Sequence, residues 1–355
     1  MRIGIPREIK PMEGRVGLIP AAAHELVDQG HEVLVEQTAG QLSGYPDQAY
    51  RDIGAHVVPD AAALYGAADL IIKVKEPVGP ELELLRKHHL LFSYLHLAAN
   101  LPLLDRLREI GLTAVAFETV EDSAGRLPLL APMSDIAGRL AAHIGANLLL
   151  HPAGGKGLLL GGLPAAERGR VVILGGGVVG GAAAEVAANF GAEVVVFERR
   201  RDRLEAMRAL GHNVTALYPY ADAIRREVAR ADLLIGAILI TGARAPHLVS
   251  AEMVRTMQPG SVVIDVAVDQ GGCIETTRPT SYADPTFVWE GIVHFGVTNM
   301  PGAVPRSASQ ALSAALLPYA QAIARDDWRQ HPELSRGINL SGGTITHPAL
   351  QQYVA

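Results

Sequence analysis

Little in this sequence points to covalent cross-linking or to membrane insertion. Of 355 residues, only Cys273 is a cysteine, so no internal disulfide can form and a reducing compartment is favoured. No run of roughly 18 apolar residues occurs, which argues against a membrane span. The N-terminus, Met-Arg-Ile-Gly-Ile-Pro, begins as a strand without an apolar leader segment. We therefore expect a cytoplasmic protein that has no membrane partner.

The charge balance also lacks what nucleic-acid binding requires. The net charge is −6 and no basic block of the necessary kind occurs, so DNA or RNA is not an expected partner. Apolar residues make up 49% of the chain and charged residues 19%, as is typical of globular proteins. A length of 355 residues predicts two domains, each with its own core. No repeat of fixed period is found, and no metal site is predicted.

The most informative segment lies in the middle of the chain. Residues 171–174 are apolar, as a strand buried on both faces requires. Gly175, Gly177 and Gly180 follow at the G-x-G-x-x-G spacing, where they permit a tight turn, close approach of a pyrophosphate and close helix packing. An Ala-rich helix and a second apolar strand lead to Glu198, 18 positions after Gly180, where a carboxylate suits a ribose diol. This order predicts a dinucleotide-binding unit rather than a glycine-rich structural turn.

The residues around Glu198 bear on the choice of cofactor. A carboxylate at this position repels a 2′-phosphate, so we predict NAD rather than NADP. Arg199, Arg200 and Arg201 follow directly and could instead pair with such a phosphate. A charge run after a strand is more often a solvated turn, so NAD(H) is the predicted cofactor.

Strand and helix patterns alternate along the chain. The first half predicts strands at 2–5, 31–36, 57–58, 70–74, 90–95 and 113–118, with helices at 20–27, 47–53, 81–87 and 102–110. The second half predicts strands at 171–174, 193–198, 233–237 and 261–268. Ser134 is expected to cap a long helix that reaches about residue 150, and a second long helix covers about 308–325. The predicted fold class is α/β: two doubly wound Rossmann-like domains joined by long helices, with the active-site cleft between them.

The domains are assigned by their glycine patterns. The first half carries no phosphate-binding fingerprint, so it is interpreted as the substrate domain. The helix at about 308–325 could return to it and make it discontinuous. We therefore expect a substrate domain of residues 1–130 plus about 300–355, and an NAD-binding Rossmann domain of about 131–299.

Four ionisable residues lie at predicted strand ends, where open parallel sheets bind ligands. They are Arg15 in the loop after the first strand, Lys75, His96 and Asp269. Each also has a structural interpretation: Arg15 and Lys75 as surface charges, His96 as a hydrogen-bonded structural histidine, and Asp269 as the cap of a turn. Together they match a chemical need. An arginine clamps a carboxylate, a lysine polarises a carbonyl oxygen, a histidine moves protons, and an additional carboxylate suits an amine substrate.

Specific motifs occur along the whole chain. They are Gly-Ile-Pro-Arg-Glu-Ile-Lys at 4–10, Glu-Gly-Arg-Val at 13–16, Lys-Val-Lys-Glu-Pro at 73–77, Tyr-Leu-His-Leu-Ala at 94–98, Pro-Met-Ser at 132–134, the fingerprint at 175–180, Asp-Val-Ala-Val-Asp-Gln-Gly-Gly-Cys at 265–273 and Thr-Asn-Met-Pro at 298–301. With these motifs the chain resembles the NAD-dependent alanine dehydrogenases of the alanine dehydrogenase and transhydrogenase alpha-subunit family. The resemblance implies reversible oxidative deamination of L-alanine to pyruvate and ammonia, usually by a homohexamer.

The resemblance also implies roles for individual residues. Arg15 would bind the substrate carboxylate and Lys75 the carbonyl oxygen, while His96 and Asp269 would form the acid/base pair. The implied cofactor contacts are Ser134, Gly175, Gly177, Val178, Val179, Gly180, Glu198, Arg203, Leu239 and Asn299. The chain departs from the family pattern twice: Glu198 stands where Asp is usual, and Tyr220 where relatives carry a serine.

Two alternative functions are kept at this stage. One is the nucleotide-binding subunit of a transhydrogenase, which needs a membrane partner and generally carries Glu where this chain has Asp269. The other is a non-catalytic NAD(H) sensor, which would have no need of Arg15, Lys75 and His96. The combination of these residues favours the enzyme.

Overall fold

The computed structural model describes residues 1–238 and 246–353. The chain divides into two compact units. Unit 1 consists of Met1–Met133 and Gly302–Ala355, and unit 2 of Ser134–Pro301. Within the described residues, no helix has the length and apolar character needed to cross a membrane.

The described elements alternate between strand and helix in both units. The strands are β1 (Arg2–Ile5), β2 (Glu32–Glu36), β3 (His56–Val58), β4 (Leu70–Ile72), β5 (Leu90–Ser93), β6 (Thr113–Ala116), β7 (Arg170–Leu174), β8 (Glu193–Phe197), β9 (Val214–Leu217), β10 (Leu233–Gly236), β11 (Val262–Asp265), β12 (Thr286–Trp289), β13 (Ile292–Phe295), β14 (Ile338–Ser341) and β15 (Thr344–Ile345). The α-helices are α1 (Pro20–Asp28), α2 (Asp47–Arg51), α3 (Ala61–Ala67), α4 (Glu81–Leu84), α5 (Leu101–Ile110), α6 (Ala131–Leu148), α7 (Val178–Asn189), α8 (Arg201–Arg208), α9 (Ala221–Ala229), α10 (Ala251–Arg255), α11 (Pro305–Ile323) and α12 (Pro332–Gly337).

In the part of the chain that the structure describes, unit 1 is built on an eight-stranded sheet of order β15-β14-β6-β5-β4-β1-β2-β3. The strands from β6 to β3 in this order are parallel, whereas β14 and β15 add an antiparallel edge. The strand order changes direction between β1 and β4, because β1 leads to β2 on one side while β4 lies on the other. Such a switch point is where ligands bind in open α/β sheets.

Unit 2 contains, among the described residues, a seven-stranded sheet of order β12-β13-β11-β10-β7-β8-β9. Only β12 is antiparallel to its neighbour. Alternate residues of β7 face opposite cores. Val171 and Ile173 pack with Ala183 of α7 on one face, and Val172 and Leu174 pack in the core on the other face. The sheet is thus covered on both faces, as the doubly wound class requires.

The predicted α/β class is confirmed, but several element ends were placed wrongly. The strand predicted at 70–74 ends at Ile72, and beyond it the Glu8 carboxylate accepts the Val74 N–H. The strand predicted at 261–268 ends at Asp265. Ser134 is not a cap, since α6 begins at Ala131. The turn before it already bonds the N–H of Ala131 to Leu127 O.

Other elements were missed or begin earlier than predicted. The long helix expected from 308 begins at Pro305, a residue suited to a first helical turn. Strands β9, β12, β13, β14 and β15 were not predicted. Most are short strands at the sheet edges, where partial exposure leaves no continuous apolar run to detect.

Candidate active site

Three of the sequence-predicted residues follow neighbouring parallel strands of unit 1. Arg15 lies in the loop after β1, Lys75 follows β4 and His96 follows β5, and β4 pairs with both β1 and β5. The carboxyl ends of parallel strands share one edge of a sheet, so the topology brings these residues to the same edge, at the switch point. Lys75 and His96 were predicted to end their strands directly. In the structure both lie in the loops just beyond the strands.

Arg15 is a buried cation fixed by Glu13. Its residue is only 3% exposed, Nε donates to Glu13 Oε1 at 2.6 Å, and Nη2 donates to Glu13 Oε2. Nη1 lies 3.2 Å from the sulfur of Met133. Burial opposes the charge, but the hydrogen bond and the charge of Glu13 outweigh it and raise the pKa of Arg15. A permanently charged, oriented guanidinium of this kind is suited to binding a carboxylate.

Lys75 sits in an environment that disfavours its charge. Burial lowers the pKa of Lys75, and the nearby positive charge of Arg15 lowers it further. Its backbone is held by Glu8, whose Oε1 accepts the Val74 N–H at 2.6 Å and lies 3.4 Å from the Lys75 N. An ammonium with a lowered pKa can both stabilise an oxyanion and exchange a proton with it.

His96 adopts a backbone conformation that is unusual for its residue type. Its φ of 48° and ψ of 41° lie in the left-handed region, which a residue with a Cβ enters at a cost. The His96 N–H donates to Glu118 Oε1 at 2.6 Å, and Nδ1 lies 3.9 Å from the same oxygen. The imidazole stacks on Tyr94 with ring centroids 5.9 Å apart. Its side chain is 36% exposed, so Glu118 holds an accessible imidazole at the sheet edge.

The glycines of unit 2 have the geometry that a pyrophosphate site needs. Gly175 has φ +101°, and a Cβ at Gly180 would lie 1.8 Å from Gly175 O, so the helix packs against the turn only without a side chain. A Cβ at Gly177 would meet nothing nearer than Arg203 Nη1 at 3.6 Å, which leaves room beside the backbone. Gly177 caps α7, whose first residues, Val178 and Val179, carry N–H groups without helical partners. These features fit an NAD pyrophosphate at the helix N-terminus.

Glu198 follows β8 and is held as an anion beside this turn. Its Oε2 accepts the Gly176 N–H at 3.0 Å, and its Oε1 accepts those of Arg199 at 2.7 Å and Arg200 at 3.0 Å. Burial acts to raise the pKa of Glu198, but these hydrogen bonds and the charge of Arg203 outweigh it and lower the pKa. A carboxylate that remains ionised is suited to accepting hydrogen bonds from a ribose diol.

The arginine run after Glu198 is partly engaged in surface ion pairs. Arg200 Nε donates to Asp202 Oδ1 at 3.1 Å, and Arg201 Nε lies 3.0 Å from Glu205 Oε1. All four side chains are exposed. This supports the interpretation of the run as a solvated turn.

Asp269 lies in a short 3-10 helix, Val268–Gln270, beyond β11. The sequence placed it at a strand end, but the buried Asp265 ends the strand and anchors the loop. Asp265 Oδ2 accepts the N–H groups of Cys273 at 2.8 Å and Ile274 at 3.1 Å. Asp269 itself is exposed.

Asn299 is half-buried in the loop after β13, and β11 and β13 are parallel neighbours. Ser134 lies in the first turn of α6, and Leu239 falls outside the described residues.

Family models match both parts of the chain. The model described as "Alanine dehydrogenase/PNT, N-terminal domain" matches residues 4–137, and "Alanine dehydrogenase/PNT, C-terminal domain" matches residues 141–348. This chain belongs to the alanine dehydrogenase/PNT family.

Similar proteins span nearly its whole length. The alanine dehydrogenase of Halomonas elongata is 45% identical, covering 99% of this chain and 96% of the relative. That of Bacillus subtilis is 46% identical, covering 99% and 94%. A solved structure of an L-alanine dehydrogenase has a TM-score of 0.96 and 49% identity over 99% of this chain and 98% of that one. A transhydrogenase structure from Sinorhizobium meliloti has a TM-score of 0.85 and 28% identity, covering 98% and 100%.

The sequence analysis did not identify several residues that hold the candidate site in place. Glu13, Glu8 and Glu118 hold Arg15, the Lys75 loop and His96, and Asp265 holds the Asp269 loop. Glu8, Glu13 and Asp265 lie in the motifs and Glu118 lies outside them, and a carboxylate gives no sign in sequence of the N–H that it will accept. A charged residue directly after an apolar strand is the one signal available, and Asp265 has it.

The glycine geometry predicts different outcomes for two single-methyl substitutions. Gly180→Ala should destabilise unit 2, because the added Cβ would lie 1.8 Å from Gly175 O, and overpacking of this kind costs about 1–3 kcal/mol or more. Gly177→Ala should leave thermal stability nearly unchanged, since its Cβ has space, but should weaken NADH binding by obstructing the phosphate. Thermal unfolding and NADH fluorescence titration measure the two effects. Tight NADH binding by Gly177→Ala would contradict this placement of the pyrophosphate.

Proposed function

We propose that this chain catalyses the reversible, NAD-dependent oxidative deamination of L-alanine to pyruvate and ammonia through Arg15, Lys75, His96 and Asp269. The reaction is supported by near-full-length identity of about 45% to alanine dehydrogenases. The observation that carries the residue assignment is the sheet order of unit 1, which brings a carboxylate-binding arginine, a lysine and a histidine to one edge. Unit 1 is proposed as the substrate domain and unit 2 as the NAD-binding domain.

The substrate groups are assigned by charge and geometry. Arg15 binds the carboxylate of alanine or pyruvate, since Glu13 fixes its guanidinium and keeps it charged. Met133, whose sulfur contacts Arg15, lies beside the bound substrate. Lys75 binds the carbonyl oxygen of pyruvate. It also stabilises the negative charge that develops on the same oxygen in the carbinolamine.

The cofactor groups come from unit 2. The α7 N-terminus at Gly177, Val178 and Val179 binds the pyrophosphate, Gly175 and Gly180 shape the turn, and Glu198 binds the adenosine ribose diol. The remaining proposed contacts are Ser134, Arg203, Leu239 and Asn299. NAD held by these residues would supply the acceptor for the hydride of the substrate Cα.

The chain's acid/base groups move the protons. Deamination needs a neutral amine before hydride loss and a water activated to attack the resulting iminium carbon. His96 and Asp269 are the acid/base groups proposed for these transfers. Lys75 then stabilises the oxygen as the carbinolamine loses ammonia.

The alternative functions are less well supported. The transhydrogenase structure shares 28% identity with this chain, against 49% for the L-alanine dehydrogenase structure. A non-catalytic NAD(H) sensor would not require the buried Arg15–Glu13 ion pair or the strained backbone of His96 at the switch point of unit 1. The resemblance further supports a cytoplasmic homohexamer, and light scattering of the purified protein tests the hexamer.

A substrate and cofactor panel tests the proposed function directly. NADH formation should be seen by absorbance with L-alanine and NAD, but not with L-lactate, because Asp269 serves an amine. NADP should be a poor substitute, because Glu198 is held as an anion where a 2′-phosphate would lie. Activity with lactate alone would overturn the assignment of Asp269. Preference for NADP would mean that the arginine run outweighs Glu198.

A further inference from the structure

A polar pocket lies in unit 1, lined by residues that the proposed reaction does not use. Its volume is about 430 Å³, and its walls come from the turn after β6, α12, β14 and the segment after β15. Volumes of roughly 300–1,000 Å³ are usual for small-molecule sites. Arg329, Arg336, Thr119, Ser341, His347 and Glu121 are among its lining residues.

The two arginines give the pocket its character. Arg329 Nη1 donates to Ser341 Oγ at 3.3 Å, and Arg336 Nε donates to the Glu121 backbone oxygen at 2.8 Å. Arg329 Nη2 also donates to Thr113 Oγ1 at 3.5 Å, so within residues 1–238 and 246–353 the hydrogen-bond acceptors of the two guanidiniums are hydroxyl and backbone oxygens, not carboxylates. Each guanidinium has five N–H donors, of which two in Arg329 and one in Arg336 bond the protein within the described residues. The lining also includes the Glu121 carboxylate, which leaves an excess of one positive charge from these three groups.

The pocket wall is held by hydrogen bonds that do not involve the arginines. Asn339 Nδ2 donates to Thr119 Oγ1 at 2.7 Å, and Thr119 Oγ1 donates to Gly337 O at 3.2 Å. Thr346 Oγ1 donates to Ile338 O at 2.9 Å. A Cβ at Gly337 would lie 2.7 Å from Val120 Cγ2, so the backbone here is closely packed. A preformed wall lowers the ordering cost of binding.

We propose that this pocket binds a small organic anion through Arg329 and Arg336. Guanidinium pairs bind phosphate and carboxylate groups with directed hydrogen bonds, and the Ser341 hydroxyl, which accepts from Arg329, can donate its own proton to the anion. The volume exceeds what one inorganic ion needs, so the ligand carries its phosphate or carboxylate groups on a carbon skeleton. The site is additional to the proposed alanine and NAD sites.

Tryptophan fluorescence can report binding at this pocket. The chain has two tryptophans, and the Arg329 guanidinium lies 4.7 Å from the Trp328 ring centroid. In a Trp289→Phe background, Trp328 is the sole reporter. The full-length protein is titrated with inorganic phosphate and with citrate, and with KCl at matched ionic strength. We expect a saturable signal with at least one of the two anions that KCl does not produce.

Variants decide whether the signal belongs to the pocket. Arg329→Gln/Arg336→Gln should weaken the anion's affinity by about tenfold or more, and calorimetry provides a readout independent of Trp328. Arg51→Gln, an exposed arginine of α2 outside the pocket lining, is the matched control and should bind normally. Response to phosphate alone assigns a phosphorylated ligand, and response to citrate alone a polycarboxylate. No saturable response to either anion, or equal affinity in the double variant, would overturn the proposal.

Discussion

Replacing His96 by alanine is expected to lower the turnover of L-alanine with NAD by about 10²-fold or more. The imidazole is accessible at the sheet edge, and imidazole is the side chain that enzymes use most often as a general acid or base. NADH binding should persist, because the glycine turn and Glu198 belong to unit 2. Steady-state NADH formation measures the first effect and NADH fluorescence titration the second.

The backbone at His96 calls for a matched variant. Alanine is poorly suited to a φ of 48°, so part of its effect could be conformational. Asparagine tolerates this left-handed region better and keeps the N–H that bonds Glu118, but it cannot transfer protons. Turnover should therefore fall similarly in His96→Asn and His96→Ala. Near-normal turnover in His96→Asn would remove the imidazole from the mechanism and leave His96 a structural role.

The cofactor turn could be predicted from sequence because its constraints are local. The spacing of Gly175, Gly177 and Gly180 indicated a tight turn, room for phosphate and close helix packing, and the positions of their absent Cβ atoms agree. The strand-end rule likewise predicted that Arg15, Lys75, His96 and Asp269 converge. The sheet order brings the first three to one edge of unit 1, and the convergence with Asp269 stays a prediction. Both inferences use only chain direction and residue type.

Two of the groups that hold these residues, Glu8 and Glu118, could not be predicted, because their contacts are distant in sequence. Glu8 bonds the backbone at Val74, and Glu118 bonds the backbone of His96. No local propensity encodes such pairings.

Lys73→Met is expected to lower the free energy of unfolding by about 3–5 kcal/mol, the usual consequence of breaking a buried ion pair. Lys73 is 0% exposed, and its Nζ lies 2.8 Å from Glu81 Oε1 and 3.5 Å from Glu8 Oε2. Burial opposes the charge, but Glu8 and Glu81 outweigh it and raise the pKa of Lys73 above 10.5. A lysine with a raised pKa stabilises the fold fully at pH 7, and this contribution is lost only as the pH rises through that pKa. Urea denaturation at pH 7 measures the change.

Two controls separate charge burial from the loss of any ion pair. Arg2→Met breaks the exposed pair with Asp69, which lies at 2.6 Å, and should change stability little because exposed pairs contribute little. Adding Glu8→Gln and Glu81→Gln to Lys73→Met should recover part of the lost stability, since the two buried carboxylates are then neutral. Unchanged stability in Lys73→Met would mean that these carboxylates take up protons without cost. Glu8 also bonds the backbone before Lys75. The folded fraction of Lys73→Met should therefore show a raised KM for L-alanine, because the same buried ion pair that stabilises unit 1 also positions the loop of its proposed substrate site.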